Sequence, residues 1–150
     1  MPFPELFSLT LLTHSDTAIK LGIANVPNKD QIENLEWGAH NILTPIRALL
    51  ATPILITSGF RASGVNVRDH GVAHSQHMTG CAADIFPEGW TLNQAAESIR
   101  LSNIAYDQLI LEDACIHVSW IPDGIPRREV LRRTGTYPNF LYHPVTSFIK

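Results

Sequence analysis

Cysteine is scarce. The chain's 150 residues hold two, Cys81 and Cys115, too few for the disulfide framework that stabilises small secreted domains. No run approaches the roughly 20 apolar residues that a membrane helix needs, so membrane insertion is not expected. Positive charge is also thin. The formal net charge is −3, and the cations do not cluster apart from Arg127-Arg128 and Arg132-Arg133. This removes the basic footprint of a nucleic-acid or anionic-lipid partner. The start, Met1-Pro2-Phe3-Pro4-Glu5, lacks a positive n-region, and the apolar run from Leu6 to Leu12 is short. No secretory signal is read there, so synthesis is expected in the cytosol, with any extracellular target reached by another route. What is abundant is apolar: 45% hydrophobic against 17% charged residues, the balance of a globular chain. The length suits one domain over 1–150 with one core. It would have an arm at about 1–12 anchored by Phe3, Leu6, Phe7 and Leu9, and an irregular surface tail at about 135–150.

Between arm and tail, helix and strand signals alternate. Thr13-His14-Ser15-Asp16 supplies caps for a short helix ended by Gly22. Asn28 caps a long helix with Ile32, Leu35, Ala39, Ile42, Leu43, Ile46, Leu49 and Leu50 on one face. Pro45 predicts a kink or restart near Thr44. Ile54-Leu55-Ile56-Thr57 is a short β-branched run, expected as a buried strand. A turn of helix is expected at 64–68 and a loop at 69–76. Strands follow at 82–86, 108–112 and 115–120, the last two as a hairpin. Between them lies a helix from Thr91 to about Leu101, with Leu92, Ala95, Ala96 and Ile99 inward. Arg127 to Arg133 can add a last strand.

The chemistry centres on Ser75-Gln76-His77-Met78-Thr79-Gly80-Cys81-Ala82-Ala83-Asp84 and Cys115-Ile116-His117-Val118-Ser119-Trp120. Side chains alternate faces along a strand. With Ala83/Ile85 and Ile116/Val118 turned to the core, Asp84 and His117 occupy the opposite faces of their strands. If those strands are neighbours, both aim at one point, and His77 can close the third corner from its loop. Two imidazoles and a carboxylate suit one zinc ion and leave the fourth position of a catalytic site open. A satisfied core histidine is the alternative for His117. Cys81 and Cys115 flank these positions and are expected as inert thiols, unpaired in a cytosolic setting. His70 and His74 lie near His77 and could mimic a metal pair, and Asn66 ties down the loop. Trp120 shares the Ile116/Val118 face, and Trp37 and Trp90 are packing residues.

The segments Ser58-Gly59-Phe60-Arg61-Ala62-Ser63, Val65-Asn66, Ser75-Gln76-His77, Gly80-Cys81-Ala82-Ala83-Asp84-Ile85, Asp107-Gln108-Leu109-Ile110 and Ile116-His117-Val118-Ser119-Trp120 together resemble the M15 peptidases. These are zinc D-alanyl-D-alanine carboxypeptidases and related phage endolysins. The resemblance runs from about Thr13 to about Arg133, and the Leu12-Thr13-His14-Ser15-Asp16 start is similar to phage members. It implies an α+β fold, a small antiparallel sheet with helices packed on it, as in the hedgehog/DD-peptidase group. It also implies His77, Asp84 and His117 as the ligands of one zinc ion. Arg61 would lie by the substrate, where a guanidinium can hold a carboxylate or polarise a carbonyl. Ser75 and Gln76 would bind substrate or hold the loop.

The general base is open. Several relatives carry an acid three residues before the last histidine, where this chain has Ala114. Glu112 and Asp113 remain, with Glu112 first. By alternation it shares a face with Gln108 and Ile110, although the hairpin breaks any parity argument from there to His117. The expected function is a zinc peptidase acting on the peptide stems of bacterial peptidoglycan, in a phage lysis or virion-associated setting. A zinc-activated water would attack the scissile carbonyl. The rival expectation is a non-catalytic zinc-containing binding or structural module on the same fold, motivated by Ala114, and a third is a bacterial enzyme of wall recycling.

Overall fold

Six strands form one sheet in the order β1-β2-β4-β3-β5-β6 in the computed structural model. It describes residues 2–149; Met1 and Lys150, the outer ends of the expected arm and tail, lie outside the described residues. The strands are β1 Ile54–Ser58, β2 Ala82–Pro87, β3 Gln108–Leu111, β4 Ile116–Ser119, β5 Glu129–Thr134 and β6 Leu141–Pro144. The helices are α1 Leu9–Thr13, α2 Asp16–Leu21, α3 Lys29–Gly38, α4 Thr44–Leu50, α5 Ser63–Arg68 and α6 Leu92–Leu101. This is the expected α+β class.

Local chemistry sets the helix ends. Ser15 caps α2 by accepting from the Ala18 N–H, and Gly22 ends it at φ 65°. Asn28 and Gln31 form a reciprocal capping box at the start of α3, which satisfies two otherwise orphaned N–H groups. The restart near Thr44 is there, and a π-helical turn over Ala39–Leu43 produces it. That wider turn carries the Thr44 N–H back to the Ala39 carbonyl. Pro45, which has no N–H to donate, follows directly on that wider turn in the first turn of α4.

The helices pack on the sheet face that carries Ala83, Ile85, Leu109, Leu111, Ile116 and Val118, all buried. From the helices come Leu35, Ile42, Leu43, Ile46, Ala95, Ala96 and Ile99. Each fully buried Leu or Ile contributes about 1.5–3 kcal/mol. Trp120 continues this face beyond β4, buried, with its indole N–H donating to the Asn34 carbonyl at 3.0 Å. A Cβ on Gly38 would lie 2.0 Å from that indole, so glycine sets how closely α3 approaches the sheet.

Four expectations change. The sheet is mixed, because β3 and β5 run parallel while the other pairs are antiparallel. Buried Asp107 makes this crossing, accepting from the Arg127 N–H at 2.8 Å and the Arg127 guanidinium at 2.6 Å. β1 is an edge strand with Leu55 55% exposed, not a buried one. The tail is ordered: β6 pairs with β5, and Phe148 is buried in the core. Pro144 is tolerated there because β6 lies at the sheet edge. In the arm, Phe7 and Leu12 are the buried anchors and Phe3 and Leu9 pack partly on the core, whereas Leu6 is 60% exposed.

Candidate metal centre

The sheet face away from the core helices is organised in rows. Asp84 on β2 pairs with His117 on β4, His117 with Ile110 on β3, Ile110 with Leu131 on β5, and Leu131 with Pro144 on β6. Two residues along lies a second row. It holds Glu112 just past β3, Arg133 on β5, and Tyr142, which is the β6 partner of Arg133. Glu112 therefore faces the same side as His117. Alternation along β3 anticipated its facing, but the hairpin hid its relation to His117.

His77 comes from a 3₁₀ turn over Gln76–Thr79 that rises to meet the first row. Ser75 caps that turn, its Oγ accepting from the His77 N–H at 3.2 Å. Gln31 and Asn34 of α3 donate to the carbonyls of Met78 and Thr79 at 3.0 and 2.9 Å. Gly80 closes the turn at φ 77°, and a Cβ there would meet the Gln31 carbonyl oxygen at 2.4 Å.

Three ligand atoms converge. His77 Nε2 lies 3.2 Å and His117 Nδ1 3.1 Å from the same atom, Asp84 Oδ1. The set lies within 4.8 Å overall. The protonation pattern tests whether this group fits a cation. His77 Nδ1 is 2.7 Å from the Gly59 carbonyl oxygen, which only accepts, so Nδ1 carries the proton. Burial lowers the His77 pKa, with Asp84 opposing, which favours the neutral ring. Its Nε2 lone pair then faces a carboxylate oxygen. Burial works to raise the Asp84 carboxyl, yet His77 and His117 hold it well below the usual range. Two acceptors aimed at each other across 3.2 Å are reconciled by a cation between them, and two imidazoles plus a carboxylate suit zinc. The Gly59 bond supplies the outer support that metal-bound histidines commonly have.

Arg61 is tied to this group through Asp84. Its Nη2 donates to Asp84 Oδ2 at 3.0 Å, its Nε donates to Ser58 Oγ at 2.9 Å, and Asp69 lies 3.6 Å away. Only Nη1, with a 3.4 Å contact to Asn66, is loosely held. Asn66 anchors the loop as expected, donating to the Val72 carbonyl at 2.9 Å. Gln76 donates to Asp107 at 3.2 Å. Asn25, which the sequence gave no reason to single out, pins the Arg61 segment. Its amide donates to the Thr13 and Phe60 carbonyls and accepts from the Ala62 N–H.

A cleft of about 350 Å³ opens over these rows, lined among others by Arg61, His70, Glu112, Arg127, Arg133 and Tyr142, and by Ser75 and Gln76 at the turn. Glu112 is half-buried in it. Burial raises its pKa, Asp84 pushes further, and His117 and Arg133 oppose. Asp113 is exposed in the β3–β4 turn, away from the cleft lining, and Ala114 is exposed beside it. Both cysteines are free. Cys81 belongs to the core, while Cys115 Sγ lies 3.6 Å from Glu112. Asp84, Glu112 and Cys115 also bring ligand atoms within 4.8 Å of one another. Burial pushes the Cys115 thiol upward, and Arg133 is paired with Glu112 at 3.1 Å. A protonated thiol and a carboxylate already paired with Arg133 weigh against a second ion here. His70 and His74 line the cleft but belong to neither ligand group. Among the described residues, no helix is long and apolar enough to cross a membrane.

The model of one family, Peptidase M15, matches residues 6–119. A search of curated proteins finds no match. The matched segment runs from just before α1 to the end of β4, so it contains all three converging ligand atoms and stops short of β5 and β6. On that match the chain belongs to the peptidase M15 family, whose members are zinc-dependent metallopeptidases.

Proposed function

We propose that this chain is a zinc peptidase that hydrolyses the peptide stems of bacterial peptidoglycan, as a carboxypeptidase or an endopeptidase, in a phage lysis or virion setting. The observation that carries this reading is the convergence of His77, Asp84 and His117 on one point in a cleft that also holds Glu112. The resemblance to D-alanyl-D-alanine carboxypeptidases and endolysins supports the choice of substrate, and the Leu12–Asp16 start supports the phage setting.

His77, Asp84 and His117 would hold one zinc ion, which would supply Lewis acidity when bound. The chain's own groups do the rest. The Gly59 carbonyl fixes the His77 tautomer. Arg61 holds Asp84 Oδ2, which leaves Oδ1 turned to the histidines. Its loosely held Nη1 is the part of the fork that reaches substrate. Ser75 and Gln76 hold the turn that presents His77, and their side chains border the bound peptide. Glu112 takes a proton from the attacking water and returns it to the departing nitrogen. Burial raises this carboxyl, the direction that suits a general base. Asp113, exposed in the turn, has no part in this scheme.

The non-catalytic alternative rested on Ala114. Glu112 offers an acid from a neighbouring position, which favours the peptidase. Digestion of purified peptidoglycan, followed by mass spectrometry of the released muropeptides, tests the proposal and names the bond. Chelator-treated protein and His77→Ala are the controls. Intact muropeptides after exposure to the zinc-loaded chain would overturn it.

A further inference from the structure

The cleft wall opposite the 69–77 loop lies outside the segment that matches the family. It is made by β5 and β6, which present Leu131, Arg133 and Tyr142 to the cavity. Arg133 and Tyr142 are cross-strand partners in the same row as Glu112. Arg133 Nη1 lies 3.1 Å from Glu112 Oε1. Tyr142 is 40% exposed, so the core has no use for its ring.

This wall is held in place. The Arg133 guanidinium stacks on Phe140 at 4.0 Å. Tyr137, in the β5–β6 loop, stacks at 3.8 Å on His70, which belongs to the opposite wall. Thr134 and His143 are joined by a 2.8 Å hydrogen bond between the strands. A polar group on such a hairpin is preorganised rather than recruited. The phenol of Tyr142 feels Glu112, Arg133 and Asp84, with burial raising its pKa first. A tyrosine with an ordinary pKa near about 10 is already protonated at neutral pH. Arg133 can only donate to the phenol oxygen, so the phenol's own proton stays available.

We propose that Tyr142 is a catalytic residue, whose hydroxyl donates a hydrogen bond to the scissile carbonyl oxygen as negative charge develops there. This rests on the peptidase reading above. In the attack, the water oxygen bonds to the carbonyl carbon and the C=O π pair moves onto oxygen, where the Tyr142 O–H meets it. One water proton goes to Glu112. The pair then returns, the C–N bond breaks, and the nitrogen leaves with the proton from Glu112. The products are a carboxylic acid and an amine, and Tyr142 ends as the phenol it began as. Arg133 is a positioning residue that holds Glu112 beside it.

The test is Tyr142→Phe in the zinc-loaded full chain, on an isolated stem pentapeptide. Losing one oxyanion donor lowers kcat by about 10²–10³-fold. KM is expected to stay within about twofold, because the bond strengthens in the transition state rather than the ground state. Zinc content stays at wild-type level. Affinity for a phosphinate analogue of the scissile bond, measured by calorimetry, falls with kcat, while affinity for the product peptide does not change. A Tyr142→Phe chain with wild-type kcat, or with a raised KM alone, overturns the proposal. A wild-type chain that leaves both stem peptide and whole peptidoglycan uncut overturns the peptidase reading, and this inference with it.

Discussion

The two walls of the cleft are built on different principles. On the ligand side, His77 and Asp84 are buried, and every polar contact has a second contact behind it: Gly59 behind His77, Arg61 behind Asp84, Ser75 and α3 behind the turn. On the β5–β6 side, the groups are partly exposed and held by stacking: Arg133 on Phe140, and Tyr137 on His70. Only the first wall falls inside the family match. A buried ion site needs a closed network, because an unpaired charge in low dielectric costs several kcal/mol. A substrate wall needs only preorganised donors, so its residues can change without unfolding the protein. Damage to the first wall should therefore remove the metal, and damage to the second should slow the reaction with the metal still bound.

The harshest break is at the ligands. His77→Ala removes Nε2 and the Gly59 hydrogen bond together, and activity on peptidoglycan should fall to background. Zinc measured after dialysis should drop below one per chain. Chelation of the wild type should do the same, with recovery on adding zinc back. Retained zinc in His77→Ala would move the site elsewhere.

Glu112→Gln keeps shape and removes the base. Turnover should fall by about 10²–10⁴-fold with zinc unchanged, which places Glu112 with the second wall in behaviour although it sits between the two. Asp113→Asn should leave turnover within about twofold. A reversal of that pair would make the turn acid the base.

Arg61→Ala sharpens the contrast from the ligand side. Asp84 Oδ2 would lose its 3.0 Å partner. Loss of such outer support typically weakens metal binding by about 10–100-fold, to be read by competition with a chromogenic chelator. An unchanged zinc affinity with a raised KM would instead make Arg61 a substrate residue alone.

Much of the ligand wall was legible because it depends on short-range rules. Caps at Asn28 and Thr91 mark two of the helices that carry the core. Alternation on β2 and β4 puts Asp84 and His117 on the open face, and the observed register makes them direct partners. The rest depends on long-range placement. Nothing within Ile54-Leu55-Ile56-Thr57 says that its strand lies at an edge, since edge position is a property of sheet order. The parallel β5 requires Asp107 to hold a segment twenty residues away in sequence. β6 is obscured by Pro138 and Pro144, which are turn signals anywhere except at an edge strand and its loop. Tyr142 was invisible for the same reason. With the tail taken as irregular, no parity argument could place its side chain beside Glu112.

The mildest break concerns how the second wall is anchored. After β6 the chain returns to the core, where Glu97 on α6 accepts from the Phe148 N–H at 3.1 Å, Ser147 Oγ at 2.8 Å and Arg100 at 2.7 Å. The Arg100 hydrogen bonds, together with those from Phe148 and Ser147, hold the Glu97 carboxyl at about 2, below its ordinary 4.5, against the effect of burial. A depressed carboxylate stabilises the fold above its unfolded pKa and ceases to do so as pH falls through the folded one. The contribution should therefore be complete above about pH 4.5 and fade between there and about pH 2. Glu97→Gln should lower stability near neutral pH by roughly 1.5–3 kcal/mol, the worth of a charged hydrogen bond. It should also flatten the acid limb of a urea-midpoint profile between those two values. Zinc content at neutral pH should not change, because the anchored segment touches no ligand. An acid limb identical in Glu97→Gln and wild type would show that the tail is held by Phe148 packing rather than by this carboxylate.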